Sequence, residues 1–215
     1  MMGRVCLAVL VLARTGIAEA QPQRGSFEVS GGVRWAGAYN AGSAAANETR
    51  NPAAGSSPLT LFQTDSRVLN APGVDVRAGI YVTSKLLVGA VFQYSRPTLR
   101  THLSADFEGA PETNADSTVS SYVISGEAEY ALTSHSWLPF VYGGAGQLRE
   151  VPDGGEALTA AEIHAGGGAR HSLTRGRHPL GVRAAVGASF RSRSAGFDQR
   201  HHVVPIASVG LTWGF

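Results

Sequence analysis

Eight times between Phe27 and Phe215 the chain alternates apolar and polar side chains with a period of two. Successive side chains of an extended strand point to opposite faces, so each such segment reads as a strand whose two faces meet different surroundings. The first segment sets Phe27, Val29, Gly31, Val33, Trp35, Gly37 and Tyr39 against Glu28, Ser30, Gly32, Arg34, Ala36 and Ala38. The second, Val74 to Thr83, sets Val74, Val76, Ala78, Ile80 and Val82 against Asp75, Arg77, Gly79, Tyr81 and Thr83. The third begins at Leu86 and lines up Leu86, Val88, Ala90, Phe92 and Tyr94. The fourth, Ser120 to Leu132, sets Tyr122, Ile124, Ala128, Tyr130 and Leu132 against Ser121, Ser125, Glu127 and Glu129. The fifth, Leu138 to Arg149, sets Leu138, Phe140, Tyr142 and Leu148 against Gln147 and Arg149. The sixth, Thr159 to Leu173, sets Ala161, Ile163, Ala165, Ala169 and Leu173 against Glu162, His164 and Arg170. The seventh, Leu180 to Arg191, sets Leu180, Val182, Ala184, Val186, Ala188 and Phe190 against Arg183, Ser189 and Arg191. The last sets Val203, Ala207, Val209, Leu211, Trp213 and Phe215 against Ser208, Gly210, Thr212 and Gly214.

The connections alternate in length. Thr83 to Lys85, Thr133 to Trp137 and Thr174 to His178 are short. Asn40 to Gly73, Arg96 to Thr118 and Ser192 to His202 are longer, and only the connection around Pro152 to Gly155 breaks the rhythm. Leu59-Thr60-Leu61-Phe62, inside the first long loop, reads as a short extra strand or part of an extended edge. Short turns at one end and long loops at the other suit a closed up-and-down barrel, and they put both termini at the short-turn end. The chain shows no internal repeat beyond the strand period and no second domain.

The charges decide which face looks out. Only 16% of residues are charged, against about a quarter in ordinary globular chains. The apolar faces carry one titratable exception, His171 near a turn. The opposite faces gather Glu28, Arg34, Asp75, Arg77, Glu127, Glu129, Glu162, Arg170, Arg183 and Arg191, five acids and five arginines. An unpaired ion in an apolar core costs several kcal/mol, and an Arg or Lys against hydrocarbon costs about 2–4 kcal/mol at midplane. The balanced set therefore belongs inside a narrow tube whose apolar exterior meets lipid. A soluble, lipocalin-like carrier requires the two faces to be exchanged. Trp35, Tyr39, Tyr94, Tyr122, Tyr130, Trp137 and Trp213 fall near segment ends, as interfacial aromatic girdles do.

Residues 1–20 differ from the rest. Arg4 precedes an apolar run from Val5 to Ala13, and Ala18-Glu19-Ala20 is a small-x-small site, so a cleavable secretory signal is expected over 1–20 and the barrel over 21–215. Nine apolar residues are too few to cross a bilayer, which needs about 20. The single cysteine, Cys6, lies in that leader, so the mature chain is expected to have no thiol and no disulfide. The formal charge of +2 gives no reason to expect a nucleic-acid partner.

Taken together, the alternation, the loop rhythm and the terminal Val209-Gly210-Leu211-Thr212-Trp213-Gly214-Phe215 resemble the small outer-membrane barrels of the OmpA/OmpX-like superfamily, including the proteins grouped as "outer membrane protein beta-barrel domain". The resemblance covers about residues 26–215 and rests on pattern more than on motif. It implies an all-β, eight-stranded antiparallel transmembrane barrel in a bacterial outer membrane, with membrane lipid around it. It implies that Val209, Leu211, Trp213 and Phe215 form the assembly signal read by the barrel-insertion machinery. Two departures are expected: a first loop longer than in the smallest members, and no periplasmic peptidoglycan-binding domain after the barrel.

The resemblance does not imply one function, because such barrels serve as scaffolds, adhesins, enzymes and narrow pores. Gly143-Gly144-Ala145-Gly146 lacks the Lys-Ser/Thr ending and following helix of a phosphate loop. His201 and His202 are adjacent and point opposite ways in extended chain, His164 and His171 lie on opposite faces, and His102 stands near Asp106 alone. His171-Ser172 is the only pair like that of lipid-modifying barrel enzymes, and it lies at the turn end with no acid close in sequence. The expectation is therefore no catalytic residue, no metal site, no cofactor and no enzyme. The lumen is expected to be plugged by the Arg/Asp/Glu set, with a narrow passive pore or a lipid-modifying enzyme as the alternatives, and any extracellular ligand is expected at the long loops.

Overall fold

The computed structural model describes residues 23–48, 59–104, 109, 111–133, 137–174, 178–192 and 201–215. The leader read over 1–20 and the loop acids Asp106 and Glu108 lie outside those residues. The described chain is all strand and turn: β1 (Phe27–Ala36), β2 (Tyr39–Glu48), β3 (Leu59–Val68), β4 (Ala71–Tyr81), β5 (Leu86–Ser95), β6 (Thr98–Ser104), β7 (Thr113–Ala131), β8 (Trp137–Pro152), β9 (Leu158–Ser172), β10 (Leu180–Arg191) and β11 (His202–Gly214).

Eight of these close into one antiparallel barrel. The order β8, β7, β5, β4, β1, β11, β10, β9 returns to β8. The first and last strands are zipped from Glu28↔Gly214 to Ala36↔Ile206. The Phe215 N–H donates to the Phe27 carbonyl at 2.8 Å, so the last residue of the chain completes the seam. Following the register from Arg149 through Tyr122, Tyr94, Val74, Val33, Val209, Ala184 and Ala169 leads back to β8 at Pro139, ten residues below the start. A shear of ten over eight strands tilts them by about 40°, within the usual range for a narrow barrel.

The remaining strands stand above the barrel at the long-loop end. β2, β3 and β6 pair with one another and with the upper part of β7. Three short breaks separate them from the strands they extend, at residues 37–38, 69–70 and 96–97. At the first break the Gly37 N–H donates to the Pro205 carbonyl, and a Cβ on Gly37 would lie 2.5 Å from the proline ring. Much of the two segments read as long loops, Asn40 to Gly73 and Arg96 to Thr118, is thus strand. The expectation of loop there is corrected, and the extra strand begun at Leu59 runs on to Val68. Ladder hydrogen bonds inherited from the barrel below, more than local apolar patterning, hold these polar residues extended.

The break at Gly37-Ala38 also changes the parity of the first segment. Phe27, Val33 and Trp35 look outward, but Tyr39, expected among them and in the aromatic girdle, turns inward and is buried. A third correction concerns β8. Phe140, Tyr142 and Leu148, expected outside, are buried in the lumen, while Gln147 and Arg149 are exposed on the outer wall. The reason lies in the neighbours. Gly166, Gly168 and Gly187 turn their missing side chains inward; a Cβ on Gly168 would lie 2.6 Å from Cζ of Phe140, and one on Gly187 would lie 2.6 Å from the Tyr142 hydroxyl. The two rings fill space that the glycines leave, which the pattern of β8 alone does not show.

The other segments face as their alternation indicates. Val76, Val88, Phe92, Ile124, Ile163, Val186, Phe190, Val209 and Leu211 are exposed on the outer wall. Among the described wall positions, Arg149 and His171 are the only outward arginine, lysine, histidine or carboxylate. His171 is stacked on Trp137 at 4.8 Å near the turn end.

The glycine–aromatic packing yields a contrast. Gly168→Val places a Cβ 2.1 Å from the Ala184 carbonyl, whereas a Cβ on Gly126 meets nothing within 4 Å. Overpacking of this kind costs about 1–3 kcal/mol. Urea unfolding in detergent micelles should show a clear fall in midpoint for Gly168→Val and almost none for Gly126→Ala.

Candidate functional site

The lumen is where the chemistry-bearing side chains meet. Inward positions of the wall strands bring Glu28, Arg34, Asp75, Arg77, Glu127, Glu129, Glu162, Arg170, Arg183 and Arg191 into the interior, and most are fully buried. Alternation along each strand explains every one of them: each sits one residue from an outward apolar side chain. Sequence reasoning missed Glu150, 2% exposed, because the facing of β8 was inverted. It placed His164 on the inner face without recognising it as an ionic partner; the ring is 1% exposed. Among the described residues the interior thus holds six acids, five arginines and one histidine.

All but Arg34 form one ladder of alternating sign. At the turn end, Arg170 Nη1 donates to Glu28 Oε2 at 2.8 Å and Nη2 lies 2.6 Å from Glu129 Oε1. The Tyr81 hydroxyl donates to Glu28 Oε2 at 2.9 Å and itself accepts from Arg170. Arg183 Nε donates to Glu129 Oε2 at 3.0 Å and its Nη2 approaches Glu127 Oε1 at 3.7 Å. Glu127 accepts from Arg77 as well, whose Nε donates to Asp75 Oδ2 at 2.9 Å. Beside this pair Arg34 donates to Gln93. His164 Nε2 lies 3.1 Å from Glu127 Oε2, and its Nδ1 lies 3.9 Å from Glu162 Oε1. Arg191 continues upward, its Nε 3.3 Å from Glu162 Oε2 and its Nη1 3.4 Å from Glu150 Oε1. The Tyr39 hydroxyl donates to the same Glu150 oxygen at 3.2 Å. Strand rise and tilt give the ladder a height of about 28 Å, close to the thickness of a bilayer's hydrocarbon core.

Aromatic rings and small apolar groups fill the rest. Arg183 sits over the Phe140 ring at 4.6 Å and over Tyr142 at 5.4 Å, and Arg191 sits over Tyr39 at 5.5 Å. Such contacts add attraction for a desolvated guanidinium. Tyr39, Ala41, Val68 and Val204 form a buried apolar cluster at the upper end. Two interior cavities of about 20 Å³ and 10 Å³ lie against the ladder, each with room for roughly one water.

The other candidate side chains are dispersed. His102 Nδ1 lies 3.1 Å from Asn114 Oδ1 and Nε2 lies 3.5 Å from Glu112, all exposed on the upper sheet. Asp106, its neighbour in sequence, is outside the described residues. His202 packs on Tyr39 at 5.1 Å while His201 is exposed. No group of three His, Cys, Asp or Glu among the described residues has metal-holding geometry. Val209, Leu211, Trp213 and Phe215 all project outward, Trp213 and Phe215 with ring centroids 4.8 Å apart.

Solved structures share this architecture. OprG of Pseudomonas aeruginosa superposes with a TM-score of 0.53 at 10% identity, covering 90% of this chain and 97% of that one. The fold is that of the small outer-membrane β-barrels. Ail of Yersinia pestis (TM-score 0.47, 12% identity, 90% of this chain and 100% of that one) and the N-terminal barrel of Pseudomonas aeruginosa OprF (0.40, 12%, 89% and 98%) are similar as well. No protein-family model and no curated protein matches the chain.

Breaking a buried ion pair on one side costs about 3–5 kcal/mol, because the surviving charge stays buried without its partner. Glu127 is shared by Arg77, Arg183 and His164. Glu127→Gln should therefore lower the urea midpoint in micelles more than any exposed substitution. The double variant Arg77→Gln/Glu127→Gln should lose clearly less than the two single losses added together. Additive losses would show that the two groups are not coupled.

Proposed function

We propose that this chain is an integral outer-membrane barrel, carried out of the cytoplasm by the leader over residues 1–20, with a structural or surface-interaction role and a lumen closed to solutes. One observation carries the reading: among the described wall positions the outer face bears only Arg149 and His171 as basic groups and no carboxylate, while eleven of the twelve charged or histidine side chains inside are ion-paired and the twelfth, Arg34, is hydrogen-bonded to Gln93. Water is the wrong solvent for that outer face and hydrocarbon is the right one.

The ladder supports a closed lumen over a narrow pore. An ion entering the tube has to part charges that already satisfy one another in a low-dielectric interior, at several kcal/mol for each pair broken. The apolar cluster of Tyr39, Ala41, Val68 and Val204 caps the same column. The reading is non-enzymatic, since the His171 ring is engaged by Trp137 on the outer wall. The outward row Val209, Leu211, Trp213 and Phe215 is the stretch offered to the assembly machinery. The upper sheet of β2, β3, β6 and β7, with Arg100 held by Asp116 through two bonds of 2.8 Å, is the surface offered to any external ligand.

Fractionation tests the location. The expressed chain should be recovered in the detergent-extracted outer membrane and migrate faster on gels unheated than boiled. A folded, monodisperse chain in plain buffer without amphiphile rules the reading out. In planar bilayers the purified protein should give no large, stable conductance; a stable open level shows that the ladder does not close the tube.

A further inference from the structure

The outward position of Arg149 is the exception that the fold has to account for. It projects from the upper part of β8, three residues before the strand ends, on the same face as Val141 and Ala145, and its side chain forms no hydrogen bond or ion pair among the described residues. Twelve residues separate it from Trp137 on the same strand, which at the strand tilt is a height of about 30 Å. The apolar band of such barrels is about 25 Å tall. Arg149 therefore emerges just above the hydrocarbon, at the level of lipid headgroups.

It is not alone there. Tyr122 is its direct partner across β7–β8, and Tyr94 is the partner of Tyr122 across β5–β7, the two tyrosine rings lying 5.1 Å apart. Each step along the register in this direction falls by about 3 Å, so the tyrosines sit just below Arg149, where an aromatic girdle belongs. Arg96 follows Tyr94 by two residues and rises back to the height of Arg149. The sheet spacing puts the two arginine Cα atoms about 12 Å apart, within the joint reach of two extended guanidinium side chains. Arg96 is 57% exposed and meets Asp153 only at 4.0 Å, a surface pair of little strength. Ser120 stands between them on β7.

We propose that this patch binds the phosphate group of an outer-leaflet lipid, with Arg149 and Arg96 as the ligating cations and Tyr122 and Tyr94 packed against the lipid beneath. Guanidinium is the side chain suited to phosphate, because its planar N–H fork matches two phosphate oxygens at once. The depth argues for a lipid over a soluble anion: the cations stand directly on the apolar wall, where the acyl chains of the same molecule are solvated. The inference rests on the outer-membrane reading and adds a ligand class to it.

The test uses the full chain folded in neutral detergent, titrated with doubly phosphorylated lipid A and with the same lipid lacking phosphate, bound lipid being counted by native mass spectrometry. The phosphorylated form should be retained at least about fivefold better. Arg96→Gln/Arg149→Gln should bring the two within about twofold. Arg67→Gln, an exposed arginine higher on β3, should leave the preference intact. Arg149→Gln alone, at an exposed side chain, keeps the test open if the double variant folds poorly, and it should lose about half the preference on a logarithmic scale. The proposal fails if the wild type shows no preference, if the preference survives in the double variant, or if Arg67→Gln abolishes it equally. Displacement of the lipid by inorganic phosphate at equal concentration also overturns it, by assigning the patch to a free anion. Heat-modifiable migration of every variant reports the membrane fold separately, so a failed barrel and a failed lipid site give different results.

Discussion

Hydrocarbon solvates neither an unpaired backbone amide nor a charge, and both demands are met here by one device, a ladder of strands closed on itself. Closure leaves no edge in the wall. The pairing of β1 with β11, finished by Phe215 against Phe27, converts two chain ends into ordinary ladder partners. The strict two-residue period then separates the solvents: whatever meets hydrocarbon must be apolar. The shear of ten residues fixes the tilt and with it the height at which each side chain emerges.

A narrow interior imposes a second condition. Eight strands enclose a space only wide enough for side chains, and those chosen here are largely ionic. An ion confined in that way is costly without a partner, and Arg170, Arg183, Arg77 and Arg191 alternate with Glu28, Glu129, Glu127, Glu162 and Glu150 along the axis. His164 bridges the two halves of the column between Glu127 and Glu162. Glycine enters as the complement of bulk: where Gly166, Gly168 and Gly187 vacate the inner face, Phe140 and Tyr142 occupy it and present rings to Arg183. The same architecture supports many activities in other proteins, so the fold constrains the place of action more than the action itself. In this barrel the upper sheet is built of strands, and two arginines stand at the rim.

The eight wall strands, their antiparallel closure and nearly all of the interior ions were legible in the sequence, because a strand's period of two is a local property that survives folding unchanged. Glu127 and Glu129 alternate with Ala128 and Tyr130 in the chain just as they do in the wall. Two things escaped. The parity change at Gly37-Ala38 is invisible locally, since an apolar Tyr39 continues the pattern; only the contact of Gly37 with Pro205 breaks it. The facing of β8 escaped for a related reason. Its larger residues read as a lipid side, whereas lumen volume on the neighbouring strands draws Phe140 and Tyr142 inward and leaves Arg149 outside.

By itself, then, the sequence determined the segregation of polar from apolar faces, the number of wall strands and the sign balance of the ions, since these follow from alternation and composition. The tertiary structure alone decided which ion meets which, where bulk replaces glycine, that the polar long segments continue as strands above the barrel, and at what height Arg96 and Arg149 stand. Those properties depend on register and tilt around a closed ring, and register is set by all eight strands together and by no one of them.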